Sequence, residues 1–427
     1  MASIITILVC AYVCLFLVEN YKNKAMIKIW HFIMVVVVSL SSFISCSADN
    51  LLHPKKNKTA KNTPSAKKAH GVTIAGNTPL LVVQLEFADK SFDGDSGVWH
   101  NKIFGADDAD QLNHYWDKTS DGNFQLLPAA ETDGTVNDGV VTIYLDENHP
   151  DCTDTCYDTW KSKFKQAMSQ VDQYVDFAKF DTDKDGQLLQ HELQVMFLVA
   201  GAERAKTSTG LQAHASEISG ISLDGISHIL KSNRYSAFGE KHGNDDATIG
   251  IMAHELGHAR FNLPDLYSNS GNTQFAWGLM GVGMWHNHDD SAVQDGSHPT
   301  YPSAWSAIKM GFQTATHVID QNQMDVMIEG KQIIKIATSN PKQYLLIENR
   351  HCSESYTACS DNNANDNGLM IWQIDEEAID NSDSSKPLIA PAADSSFGKP
   401  PVNFTGSVYN NHALTITNIV SDGDTMT

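Results

Sequence analysis

The pattern of apolar positions changes character along the chain. Two apolar runs open it, residues 3–18 (SIITILVCAYVCLFLV) and a stretch from Met26 through Lys28 to Ile44, and residues 47–70 then lose all periodicity. From residue 78 the pattern becomes that of buried elements. Residues 78–87 (TPLLVVQLEF) and 140–145 are predicted strands. Residues 107–118 read as a short helix and 120–123 as a turn. Over residues 157–177, Trp160, Phe164, Met168, Val171 and Val175 recur at helical spacing, which predicts an amphipathic helix. Residues 193–200 read as a strand or a helix end. A second helix is expected over 245–261, with Asn244, Asp245 and Asp246 suiting its N-terminal dipole. After about residue 315 the chain turns strand-like, at 332–338, 344–348, 368–374 and 413–420. Helices early and strands late predict an α+β fold: a domain over 71–315, followed by a β-rich part over 316–427.

Charge removes one class of partner. The chain has 30 basic and 51 acidic residues, a net charge of −21. Residues 1–70 carry nine lysines against only Glu19 and Asp49, which leaves 21 basic and 49 acidic residues in 71–427. Nucleic-acid phosphates repel such a body, so no nucleic-acid partner is expected. Cysteines bear on the compartment. Cys152 with Cys156 and Cys352 with Cys359 form two short-range pairs, without zinc-finger spacing. Two local disulfides in an exported protein are the expectation.

The N-terminus agrees with export. The run from Met26 has the layout of a secretory signal: a basic residue, an apolar stretch, then small Ser45 before Cys46. Phe43-Ile44-Ser45-Cys46 resembles a bacterial lipoprotein cleavage box, with Phe43 where Leu is usual. On that reading residues 1–46 form the export segment, 1–25 are an over-long extension before a start at Met26, and 47–70 are a flexible Lys-rich tether. Acylated Cys46 gives a membrane anchor, and Ser47 after it favours the outer membrane by resemblance to such lipoproteins. Cleavage after Ala48 with release, or retention of both apolar runs as anchors, are the alternatives at this point.

The strongest chemical signal is TIGIMAHELGHARFNLPDLY, residues 248–267. His254 and His258 are four apart, so a helix stacks both imidazoles on one face, ready to hold one cation. Zinc suits imidazole nitrogen and leaves a coordination position open, and Glu255 is placed to take a proton from a water activated there. A third ligand is needed. No Glu occurs between Glu255 and Glu329, which excludes a Glu ligand on a helix soon after. Asn262 tolerates the left-handed conformation that ends a helix, Pro264 prevents its continuation, and Asp265, seven residues after His258, is the natural third ligand.

HELGHARFNLPDLY resembles the immune inhibitor A family of secreted bacterial metallopeptidases, a metzincin-like group with Asp where most metzincins have His. LLVVQLEFAD, LNHYWDKTSDGNFQL, FAWGLMGVG, PSAWSAIKMGF, YLLIENR and GLMIWQID extend the resemblance from about residue 78 to the C-terminus. The chain differs in having Asn262 where the family often has Gly, and one extra residue before Leu-Pro-Asp. The resemblance implies a metzincin-like zinc peptidase domain acting on protein or peptide substrates, with Met280 as the turn beneath the zinc. His286, His288 and Tyr301 come after it as candidate donors to the substrate carbonyl.

A second metal motif lies upstream. Residues 181–192 (DTDKDGQLLQHE) fit the twelve-residue calcium loop. Asp181, Asp183 and Asp185 supply oxygens at positions one, three and five, Gly186 turns at six, Gln187 offers its carbonyl at seven and Glu192 closes the shell. Its single occurrence points to a structural calcium. Gly94-Asp95-Ser96-Gly97 has the look of a serine-protease nucleophile loop, but no room lies upstream for the His and Asp that fold needs. The sequence thus predicts an exported zinc endopeptidase with Glu255 as general base. The alternative is a catalytically inactive, metal-stabilised surface binding lipoprotein, and an intact Glu255 argues against it.

Overall fold

The structure is a computed structural model. It describes residues 76–427 apart from 95, 228, 231–233, 268–276, 288–293, 320–327, 351–367, 392–403, 409–411, 417–420, 423–424 and 427. The export segment, the tether, His288 and the Cys352–Cys359 pair therefore lie outside the described residues. The chain divides into Met1–His70 and Gly71–Thr427, and all the described elements belong to the second unit.

β1 (Thr78–Phe87) is the axis of the first sheet. On one side it pairs, in parallel, with β2 (Leu126–Pro128) and β3 (Val140–Leu145), and on the other with β4 (Gln194–Ala202). β5 (His214–Ser216) forms the far edge. It runs antiparallel to β6 (Tyr235–His242), which pairs in parallel with β4, and β7 (Asp245–Asp246) folds back on β6. Parallel strands covered on both faces read as unbroken apolar runs. Here Leu80, Val82, Met196, Leu198 and Phe238 enter one core, and Leu81, Val83, Leu85, Val195 and Phe197 enter the other.

Helices cover both faces. α1 (Ser96–Phe104) begins at the serine of the Gly-Asp-Ser-Gly stretch, so that motif is a turn into a helix. α2 (Leu112–Ser120) begins five residues later than the pattern predicted. The Gln111 side chain accepts the Asp107 and Asp108 N–H groups at 2.7 and 2.9 Å and holds that segment as a loop. α3 (Tyr157–Val171) packs Trp160, Phe164, Met168 and Val171 on the second core. It ends before Phe177, and the turn beyond it keeps Val175 and Phe177 buried, so the apolar stripe outlasts the helix.

α4 (Ile249–Phe261) is buried all round and is shorter at its start than the predicted 245–261. Asp245 and Asp246 belong instead to β7, where Asp246 pairs with Lys241 at 2.8 Å, so they do not serve the helix dipole. Arg260 fixes the other end. Its Nε donates to Thr78 Oγ1 at 2.8 Å and its guanidinium lies over the Phe261 ring at 5.0 Å. α5 (Ala304–Met310) leads into the second sheet: β8 (Ala315–Ile319), β9 (Ile333–Ala337), β10 (Gln343–Arg350), β11 (Gly368–Asp375) and β12 (Ile389–Pro391). Leu346, Trp372, Ile374 and Ile389 of this sheet join the same core as α4. The fold is α+β, and α4 shares one core with side chains of both sheets. The early half, expected to be rich in helices, also holds the larger sheet.

Candidate metal centre

The geometry of the site is set by how α4 ends. Asn262 takes the left-handed conformation (φ 53°, ψ 35°), which lets its N–H and that of Leu263 close on the Gly257 and His258 carbonyls. The reversed chain brings the Leu263 carbonyl to 2.6 Å from His258 Nδ1. His254 Nδ1 lies 2.9 Å from the Leu279 carbonyl. A carbonyl oxygen only accepts, so each ring carries its proton on Nδ1 and presents the Nε2 lone pair.

Those lone pairs converge. The two Nε2 atoms are 3.1 Å apart, and Asp265 Oδ1 lies 3.2 Å from that of His254 and 3.0 Å from that of His258. Three electron-rich atoms at this spacing repel one another unless positive charge sits among them. Tetrahedral zinc with arms of about 2.0–2.2 Å sets its ligand atoms about 3.3–3.6 Å apart. The spacing in the protein is close to one face of that tetrahedron, so the donor set fits zinc. His254 is 2% and Asp265 44% exposed on the side chain, so the site opens to solvent on the Asp265 side. Burial works to raise the Asp265 carboxyl, but the His254 and His258 rings beside it outweigh that and hold the group well below the usual carboxylate range.

Glu255 is buried and has no hydrogen-bond partner among the described residues. Burial pushes its carboxyl up, against the pull of the His254 and His258 charges. Met280 packs beneath the helix, and its sulfur lies where a side chain on Gly257 would stand. Its carbonyl accepts the Leu266 N–H at 2.8 Å, which ties the Asp265 loop to the turn below.

The candidate carbonyl donors are engaged elsewhere. His286 Nδ1 faces the His298 carbonyl at 3.2 Å, and Tyr301 lies under Lys331, 5.0 Å from its ring centre. Sequence reasoning passed over two other residues. Tyr157, straight after a cysteine, senses the charges of Glu255 and Asp265. Glu203, an acid just past a buried strand, senses that of Glu255.

The second metal motif comes together in part. Asp181, Asp183 and Asp185 gather their carboxylates within 4.8 Å of one another. Asp181 also accepts the Asp185 and Gly186 N–H groups at 3.1 and 2.9 Å, and Gly186 takes a left-handed φ of 79°. Glu192 is not in that group. Its Oε1 accepts from Thr182 N and Oγ1 (2.8 and 2.7 Å) and its Oε2 from Leu189 N (3.0 Å). Gln187 directs its N–H to Asp185 at 2.8 Å. Cys152 and Cys156 are joined in a disulfide. No family model and no curated protein matches the chain.

Proposed function

We propose that the protein is an exported zinc-dependent endopeptidase of metzincin-like fold, related to the immune inhibitor A peptidases it resembles in sequence. The observation that carries this reading is the convergence of His254, His258 and Asp265, with Glu255 buried beside them and without a hydrogen-bond partner among the described residues. His254, His258 and Asp265 would hold the ion, and the Leu279 and Leu263 carbonyls fix the two rings. Zinc, when bound, supplies Lewis-acid activation of a water and of the scissile carbonyl.

The remaining work falls to this chain's own groups. Glu255 takes the proton of the attacking water on a carboxylate oxygen and passes it to the leaving amine nitrogen. Burial strengthens the carboxylate as a base, which suits the first transfer. β5 is the edge of its sheet and packs against α4, so its outer backbone groups are available to pair with an extended peptide. Asp181, Asp183 and Asp185 would hold a calcium ion in the turn before β4, with the Gln187 carbonyl added as the motif requires, and Glu192 would join them only by leaving Thr182 and Leu189. An acylated Cys46 or cleavage after Ala48 places the enzyme outside the cytoplasm, where the Cys152–Cys156 disulfide persists.

Casein digestion tests the reading. Full-length protein with zinc should release peptides, lose this activity on dialysis against a chelator and regain it with equimolar zinc. Digestion that ignores the chelator would remove zinc from the account.

A further inference from the structure

Tyr267 and Tyr235 have committed hydroxyls; Tyr157 does not. Tyr267 hydrogen bonds to Asp265 and stacks its ring on His254 at 6.1 Å. The Tyr235 hydroxyl pairs with His214 Nε2 at 2.9 Å. The Tyr157 hydroxyl has no hydrogen-bond partner among the described residues, and Tyr157 is 40% exposed.

Tyr157 is held in place from behind. It is the first residue of α3, directly after the Cys152–Cys156 disulfide. That small loop is pinned to the chain beyond β4: the Gly210 N–H donates to the Cys152 carbonyl at 3.1 Å, and Arg204 Nη2 to the Thr153 carbonyl at 2.9 Å. The Tyr157 ring meets His214 edge-on at 4.8 Å, which sets it beside edge strand β5, the strand that packs on α4. Burial raises the phenol, and the nearby Glu255 and Asp265 charges raise it further, so at neutral pH it keeps its proton and is a donor.

We propose that Tyr157 donates a hydrogen bond to the substrate's scissile carbonyl oxygen as that oxygen gains negative charge, which makes it a catalytic residue of the peptidase. The proposal rests on the peptidase reading above. Tyr157 keeps its proton throughout. The water oxygen bonds to the carbonyl carbon, the carbonyl π pair moves onto oxygen, and the phenol O–H stabilises that charge. A donor aimed at developing charge in a partly desolvated site contributes about 100- to 1000-fold in kcat.

The test uses the zinc-loaded full chain as wild type, Tyr157→Phe and Glu255→Ala. Phenylalanine keeps the ring against His214 and removes only the hydroxyl. Tyr157→Phe is expected to hold one zinc, melt with wild type, and cleave a casein-derived peptide with unchanged KM and a kcat about 100- to 1000-fold lower. Calorimetry gives a second readout: a phosphinic peptide, whose tetrahedral centre mimics the charged oxygen, should bind Tyr157→Phe at least 10-fold more weakly, and the cleaved product peptide equally. Equal kcat and equal phosphinic-peptide affinity in the two proteins overturn the proposal, and so does loss of zinc from Tyr157→Phe, which would make the residue structural. Wild type that cleaves no better than Glu255→Ala overturns the peptidase reading itself.

Discussion

Glu203 offers the sharpest thermodynamic prediction. It lies just past β4, is fully buried, and accepts three backbone N–H groups, from Ala205 and Ala213 on Oε1 and from Gly239 on Oε2, each at 3.0 Å. Burial outweighs these bonds and pushes its carboxyl from 4.5 up to about 7. The folded state therefore holds a proton that the unfolded chain releases at lower pH. This stabilisation is fully present below pH 4.5 and is lost as pH rises through about 7. At about 1.4 kcal/mol per pH unit, the loss is about 3 kcal/mol. Burial also holds His214 and His242 down to about 4, and they act in the opposite sense, costing stability as pH falls from 6.5. A variant that leaves them untouched cancels their effect.

Glu203→Gln is that variant. Its amide cannot accept from every one of the three N–H donors, so at pH 4.5 it should be less stable than wild type by about 1–3 kcal/mol. It carries no proton equilibrium, so the gap should close, or reverse, by about 3 kcal/mol between pH 4.5 and pH 8. Urea denaturation of both proteins with chelator present, monitored by tryptophan fluorescence, measures this. A stability difference that stays constant over that range would refute the reasoning.

Other parts of the fold give three more expected outcomes. In Gly250→Ala, the new methyl overlaps the Met284 backbone carbonyl, which has no rotamer to escape into, so calorimetry should show about 1–3 kcal/mol of lost stability and a melting temperature lower by several degrees. Calcium chelation should lower the melting temperature, and Asp181→Ala should reproduce most of that fall, because the gathered carboxylates bind the ion only in the native loop; equal melting temperatures with calcium and with chelator would reduce the loop to an acidic turn. Mass spectrometry of the mature N-terminus should find acylated Cys46, with a free Asp49 pointing instead to release as a soluble enzyme.

The parts of the site that were legible in the sequence are those set by local rules. The i, i+4 histidine spacing acts within one helix, and the reversal after it depends on a single residue, Asn262, that accepts φ 53°. The strand over 78–87 was legible because burial on both faces leaves it largely apolar, and that over 140–145 because five of its six residues are apolar or aromatic. What escaped is carried by distant pairing. The order of the larger sheet joins segments more than a hundred residues apart, as in Leu80 opposite Gln194. The Leu263 and Leu279 carbonyls that set the tautomers are backbone groups with no side-chain signature. Tyr157 is set against His214 by a disulfide loop pinned to residues 204 and 210, which no local pattern announces. Boundaries slipped where one side chain rewrote the local pattern, as Gln111 does ahead of α2.

The central claim is that Glu255 is the base of a zinc peptidase. Its most direct test is the turnover of Glu255→Ala under saturating zinc, with metal content measured on the same sample. The account predicts one zinc per chain, as in wild type, because His254, His258 and Asp265 are untouched, and a turnover lower by about two to four powers of ten. A variant that holds its zinc and digests casein as fast as wild type would contradict it.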